Sequence, residues 1–221
     1  MSDLIFLHTA PANELLFSDL MSELAPGRAA LHVTEPGLLD EALSAGRVTP
    51  AIEARLLRLA GTLGAPNEQG RPTVICTCST LGEAAEQAGR AAGVRLVRID
   101  RAMAEEAVRL GDRILVAACV PTTLAPTEDL LREVAGLAGR EVEIRALLVE
   151  DAWAHFQRGD RVAYWRRIAE ALEGAVGTAD VVVLAQASMA GAVDFLAGLG
   201  RPVLSSPRLG LEACLAGALP V

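Results

Sequence analysis

Short apolar runs alternate along this chain with longer stretches in which apolar positions return every three or four residues. The runs read as buried strands at 4–7, 30–33, 73–77, 94–99, 113–118, 142–148, 179–185 and 202–204. Helical periodicity fills 14–24, 51–62, 83–90, 101–110, 127–137 and 162–176 between them. Such alternation predicts an α/β protein with parallel sheets joined by crossovers. Asp160 is expected to cap the helix from 162. Thr127 is expected to cap the one from Glu128, with Asp129 in its first turn.

The order of strand, hydroxyl-rich turn and helix is repeated about halfway along. Asp112-Arg113-Ile114-Leu115-Val116 restarts the pattern, and Cys119-Val120-Pro121-Thr122-Thr123 takes the place that His8-Thr9-Ala10-Pro11 has in the first half. Likewise 181–189 stands opposite the turn at Cys78. The expected architecture is two pseudo-symmetric lobes, each a small parallel sheet flanked by helices, with an active-site cleft between them. The first lobe is placed at 1–100 and the second at 101–204, with 205–221 packing back on the first.

Composition narrows the chemistry. Among 221 residues, 52% are hydrophobic, the net charge is −8 and only 3% are aromatic. Neither phosphate neutralisation nor base stacking is provided for, so nucleic acid is not an expected partner. No apolar run reaches the ~20 residues that cross a bilayer, and Met1-Ser2-Asp3 lacks the basic flank of a signal peptide. No membrane partner is expected, and a cytoplasmic location is. Four cysteines without a secretory signal read as thiols. All 20 basic residues are arginine, which excludes lysine imine chemistry with pyridoxal phosphate or a carbonyl substrate.

The richest stretch is Thr73-Val74-Ile75-Cys76-Thr77-Cys78-Ser79-Thr80-Leu81-Gly82. A strand delivers Cys78 into a turn of hydroxyls, and a helix follows. Ligands of open α/β sheets bind at this carboxyl edge. Backbone N–H groups at the start of the helix favour an anion there, whether a carboxylate or the thiolate. A thiol activated in this way is expected to titrate below ~8.5. Cys76 reads as core. A metal role for Cys76 and Cys78 lacks further ligands, because no second cysteine or histidine pair accompanies them.

Thr77-Cys78-Ser79-Thr80 resembles the Cys-Asn-Thr motif of the Asp/Glu/hydantoin racemase superfamily, with Ser79 where asparagine is common. The family's second motif, often Gly-Cys-Thr, corresponds by position to Leu184-Ala185-Gln186-Ala187-Ser188, so Gln186 falls at the second cysteine. The resemblance extends over nearly the whole chain. It implies cofactor-independent chemistry at the carbon next to a carboxylate, no metal, a small carboxylate or amino-acid-like substrate and a homodimer. Racemisation needs a base on one face of the carbon and an acid on the other. Glutamine does not titrate near neutrality, which disfavours a symmetric two-thiol racemase. One-thiol isomerisation or decarboxylation, thiol addition to an activated alkene, or a site that only binds remain open.

Cys78 and Gln186 are therefore the expected catalytic pair, Gln186 through its amide N–H. Ser79, Thr80, Thr122, Thr123, Ser188 and His8 are the expected substrate contacts, with helix capping or a strand-end role as the alternative. Asp100 either orients the thiol or caps the next helix. Arg208 could pair with a carboxylate, and Cys214 could replace the missing thiol. Trp153, Phe156, Tyr164 and Trp165 flank the turn at 158–160 as core, lid or interface.

Overall fold

The computed structural model describes residues 4–67 and 70–218. The described residues divide into two compact units. One runs to Asp100 and resumes at Pro207. The other spans Arg101–Ser206. Residues 219–221, part of the segment expected to pack back on the first lobe, lie outside the described residues.

The first unit holds a four-stranded parallel sheet made of β1 (Leu4–His8), β2 (Ala30–Thr34), β3 (Thr73–Cys76) and β4 (Leu96–Arg98), in the order β2-β1-β3-β4. Around it stand α1 (Ala12–Leu24), α2 (Pro36–Ala45), α3 (Pro50–Leu63) and α4 (Gly82–Ala92). β1 and β3 are buried along their whole length, as a sheet covered on both faces requires. One face packs Leu7, Val74, Cys76 and Cys78 against Leu38, Ile52, Leu56, Leu81 and Ala85. Each such leucine or isoleucine contributes roughly 1.5–3 kcal/mol by leaving water. Thr49 starts α3 by accepting the Ile52 N–H at 3.3 Å, with Pro50 in the first turn.

The second unit repeats the plan. Its sheet, β6-β5-β7-β8, uses β5 (Arg113–Ala118), β6 (Glu143–Leu148), β7 (Val181–Leu184) and β8 (Val203–Ser205), all parallel. Its helices are α5 (Arg101–Leu110), α6 (Leu124–Leu137), α7 (Glu150–Gln157) and α8 (Arg161–Ala175). Asp160 caps α8 by accepting the Ala163 N–H at 3.0 Å, as expected. Thr127 does not cap α6. The helix starts at Leu124, and the Thr127 hydroxyl bonds back to the Thr123 carbonyl at 2.9 Å. The aromatic group is mainly core: Tyr164 is fully buried, and Trp153 stacks on Phe156.

Matching backbone bonds relate the two units residue by residue. Thr77 N–H donates to Leu7 C=O at 3.0 Å, and Ala185 N–H to Ala117 C=O at 2.9 Å. Leu81 N–H donates to Cys78 C=O at 3.1 Å, and Met189 N–H to Gln186 C=O at 3.0 Å. Hence Gln186 is the counterpart of Cys78, Ala118 of His8 and Cys119 of Thr9. α5 follows β4 yet belongs to the second unit, and α9 (Ser206–Leu215) follows β8 yet lies mostly in the first. Each carries an arginine to another helix of its unit: Arg101 meets Glu133 of α6 at 3.1 Å and Arg208 meets Glu23 of α1 at 2.6 Å.

Candidate active site

Cys78 lies just past the carboxyl end of β3, in extended conformation, and a 3-10 turn over Ser79–Leu81 leads into α4. The Thr9 hydroxyl and the backbone N–H groups of Thr80 and Leu81 are directed at its sulfur. These donors favour the thiolate. Burial opposes them more strongly, and the Asp100 carboxylate adds to that opposition, so the Cys78 thiol is pushed up from its ordinary range. Only 8% of the residue is exposed. The upward shift is opposite to the lowered value expected from the turn. Helix-start donors do not compensate for so much lost water, and Cys78 rests as S–H.

Behind the turn sits a buried ion pair. Arg98 donates through Nε to Asp100 Oδ1 at 2.7 Å and through a terminal nitrogen to Oδ2 at 3.0 Å. Its guanidinium holds the Asp100 carboxyl below the usual carboxylate range, although burial alone would raise it. Gly82 makes room for the pair, since a Cβ there would stand 2.8 Å from Arg98 Nε. Cys76, wholly buried on the same strand, is core, and its thiol donates to the Cys78 carbonyl at 3.6 Å.

His8 faces the other side of the sheet, against Phe6, Phe17 and His32. Thr77 donates to the Leu7 carbonyl at 3.3 Å, so its oxygen accepts His8 Nδ1–H at 2.8 Å. His8 Nε2 then accepts from His32 Nδ1 at 2.9 Å, which requires the His8 ring to be neutral. Burial and the neighbouring His32 lower the His8 pKa to about 4. The ring named from sequence as a ligand contact is engaged at both nitrogens within the protein.

In the second unit, Gln186 follows the end of β7 and is half-buried. Its Oε1 accepts the Cys119 N–H at 2.6 Å. Only oxygen can face that donor, so the amide NH2 is the end turned away from it. Cys119 is the thiol that sequence reasoning left aside. It stands at the Thr9 register and faces the core, fully buried, and desolvation pushes it up to about 12. Ser188 is half-buried, with its hydroxyl 3.0 Å from the Tyr164 hydroxyl and its carbonyl accepting Trp165 Nε1–H at 2.9 Å. Thr122 and Thr123 form the 3-10 turn after β5. Thr123 is buried and Thr122 half-buried.

The structure thus gathers Cys78, Ser79 and Thr80 on one turn, and Gln186 and Ser188 on its counterpart. Two further candidates from the sequence lie elsewhere in the first unit. Arg208 pairs with Glu23 and Glu212. Cys214 is half-buried in α9 with its pKa raised by burial. Among the described residues no group of three or more metal-ligating side chains occurs, and no helix is long and apolar enough to cross a membrane.

Paired parallel α/β units with a cysteine at a carboxyl edge define a class of enzyme folds, and the comparisons with known proteins agree. Residues 22–214 match the family model described as Asp/Glu/hydantoin racemase, and the chain belongs to that family. The aspartate racemase of Picrophilus torridus superposes with a TM-score of 0.70 at 12% identity, covering 98% of this chain and 95% of that one. Allantoin racemase from Pseudomonas fluorescens gives 0.59 at 20% identity, over 100% and 97%. An unliganded arylmalonate decarboxylase gives 0.51 at 19% identity, over 100% and 94%. At such identities the shared property is the fold. No curated protein matches the sequence.

Proposed function

We propose that the chain is a cofactor-independent enzyme in which the Cys78 thiol delivers one proton to the carbon next to a carboxylate of a small acid. Isomerisation or decarboxylation fits this better than two-thiol racemisation. One observation carries the reading: at register-equivalent positions the units hold a titratable thiol and an amide that does not titrate. In a decarboxylation the C–CO2 bond breaks, its electron pair spreads into the remaining carboxylate as an enediolate, and the carbon takes the Cys78 proton. The thiolate left behind meets the Thr9 hydroxyl and the Thr80 and Leu81 N–H groups. Water then restores its proton. A thiol that rests protonated is the right starting state for this step, and no base is needed.

Gln186, its oxygen fixed by Cys119, offers its NH2 to a carboxylate or enediolate oxygen. Ser79, Thr80, Thr122, Thr123 and Ser188 supply hydroxyls for the carboxylate. The same reading has the enzyme act as a cytoplasmic homodimer, which light scattering checks for assembly. The test is proton NMR in D2O with a panel containing glutamate, aspartate, maleate and 2-substituted malonates. Turnover with deuterium entering the product, lost in Cys78→Ser, is expected. A second reading, a carboxylate-binding module without catalysis, draws on the near-complete burial of Cys78. Calorimetric binding of a panel member with no conversion of any would favour it.

A further inference from the structure

The oxygens of Gln186 and Ser188 would each repel an anion, and the fold meets them with hydrogens. Gln186 Oε1 accepts the Cys119 N–H at 2.6 Å, and the Gln186 carbonyl accepts the Met189 N–H at 3.0 Å. The Ser188 carbonyl accepts Trp165 Nε1–H at 2.9 Å, and the Ser188 hydroxyl lies 3.0 Å from that of Tyr164. A hydrogen between two hydroxyls comes by preference from the more acidic one, here the phenol. Tyr164 is fully buried and spends its hydrogen on Ser188, which leaves the hydrogen of the half-buried serine for another partner.

Both aromatic donors come from one turn of α8. They meet at Ser188 because the segment around it is tightly wound. Ala187–Phe195 is a 3-10 helix, in which residues three apart eclipse one another. Ser188 and Gly191 therefore share the face on which the Trp165 indole lies. A Cβ on Gly191 would stand 2.4–2.6 Å from three carbons of that ring, so glycine is what lets the indole down to the Ser188 carbonyl. Runs of this conformation beyond three or four residues are uncommon. In the first unit the corresponding turn, Ser79–Leu81, gives way to α4 after three residues. The helix that corresponds to α8 there, α3, carries no aromatic residue.

We propose that Tyr164 and Trp165 are positioning residues that occupy the oxygens of Ser188 from inside the unit, so that the Gln186–Ser188 turn offers hydrogens and takes a carboxylate without a positive charge. The proposal rests on the reading of Gln186 and Ser188 as carboxylate contacts. The two aromatics act through different atoms of one residue. Tyr164 works through the Ser188 hydroxyl, and Trp165 works through the Ser188 carbonyl. That difference makes their effects separable.

The experiment is calorimetric titration of the protein with malonate and with succinate. Affinity is read without turnover, so this test and the turnover test of proton delivery by Cys78 fail independently. Tyr164→Phe and Trp165→Phe should each weaken binding by about fivefold, the worth of one hydrogen bond. In a Ser188→Ala background the effect of Tyr164→Phe should vanish. That of Trp165→Phe should persist there, because the substitution keeps the backbone carbonyl. The indole N–H resonance of Trp165, assigned in 15N-labelled protein by means of Trp153→Phe in a chain with two tryptophans, should move as the wild type is saturated. If Tyr164→Phe weakens binding as much in the Ser188→Ala background as in the wild type, the ring only packs the core and the proposal is wrong. Unchanged affinity in both aromatic variants, an unmoved indole signal at saturation, or no binding of either probe by the wild type would overturn it equally.

Discussion

The turn after β3 and the turn after β7 share a backbone and differ in almost everything else. Around the first lie Thr9, Cys78, Ser79, Thr80 and the Arg98–Asp100 pair, all buried. Around the second the same register holds Cys119, Gln186, Ala187 and Ser188, with Ser205 at the sheet edge. The first turn concentrates charge and a titratable hydrogen. The second has hydrogen bonding alone, with its hydroxyl and amide oriented by Tyr164 and Cys119. A duplicated scaffold has thus kept its geometry, and on the proposed function its two turns differ as a proton donor and a group that holds an anion would.

Changes to one turn and to its counterpart should therefore have unequal costs. The largest expected effect on stability comes from Asp100→Asn, which leaves Arg98 buried without its counter-charge. A loss of about 3–5 kcal/mol is expected in urea unfolding, against less than about 0.5 kcal/mol for Ser205→Ala at the Arg98 register. Equal losses would dissolve the distinction between the two ends.

The next effect belongs to His8, whose counterpart is Ala118. Its pKa in the folded state, about 4, lies below the ordinary 6.5. Between those values the unfolded chain binds more protons. Stability is full above pH 6.5 and falls as pH drops toward 4, by up to roughly 3 kcal/mol from this residue. His8→Gln should flatten that part of the pH–stability curve. An unchanged slope would show that another group sets it. The smallest effect expected is that of Tyr164→Phe. It removes a buried hydroxyl bonded to Ser188 and should cost about 1 kcal/mol, with weaker carboxylate binding and no change in the Cys78 titration.

Much of the scaffold was legible in the sequence, because both sheets are built from short apolar runs whose burial leaves no other reading. β5 falls at the expected 113–118, and α5 at 101–110. α2 was not foreseen, since its ten residues open on Pro36-Gly37 and look like a turn. β4 is shorter than the run around it because only Leu96–Arg98 pair with β3. The position of Cys78 could be read from the strand-to-helix pattern, and its correspondence with Gln186 from the family resemblance. Its environment could not. That Asp100 turns back on Arg98, that Gly82 clears the space, and that Cys119 N–H holds Gln186 from 67 residues away depend on tertiary placement. The direction of the thiol's shift was missed for the same reason, because burial is a property of the packed core and not of the local turn.

The most direct measurement is proton NMR in D2O on a panel acid that the enzyme converts, comparing wild type, Cys78→Ser and Gln186→Cys. The account predicts one deuterium per product at the carbon beside the carboxylate, in a single configuration. Turnover should fall by about 10²–10⁴-fold without the Cys78 thiol, and exchange on both faces should appear only when a thiol replaces Gln186. Two-faced exchange by the wild type, or full turnover in Cys78→Ser, would contradict it.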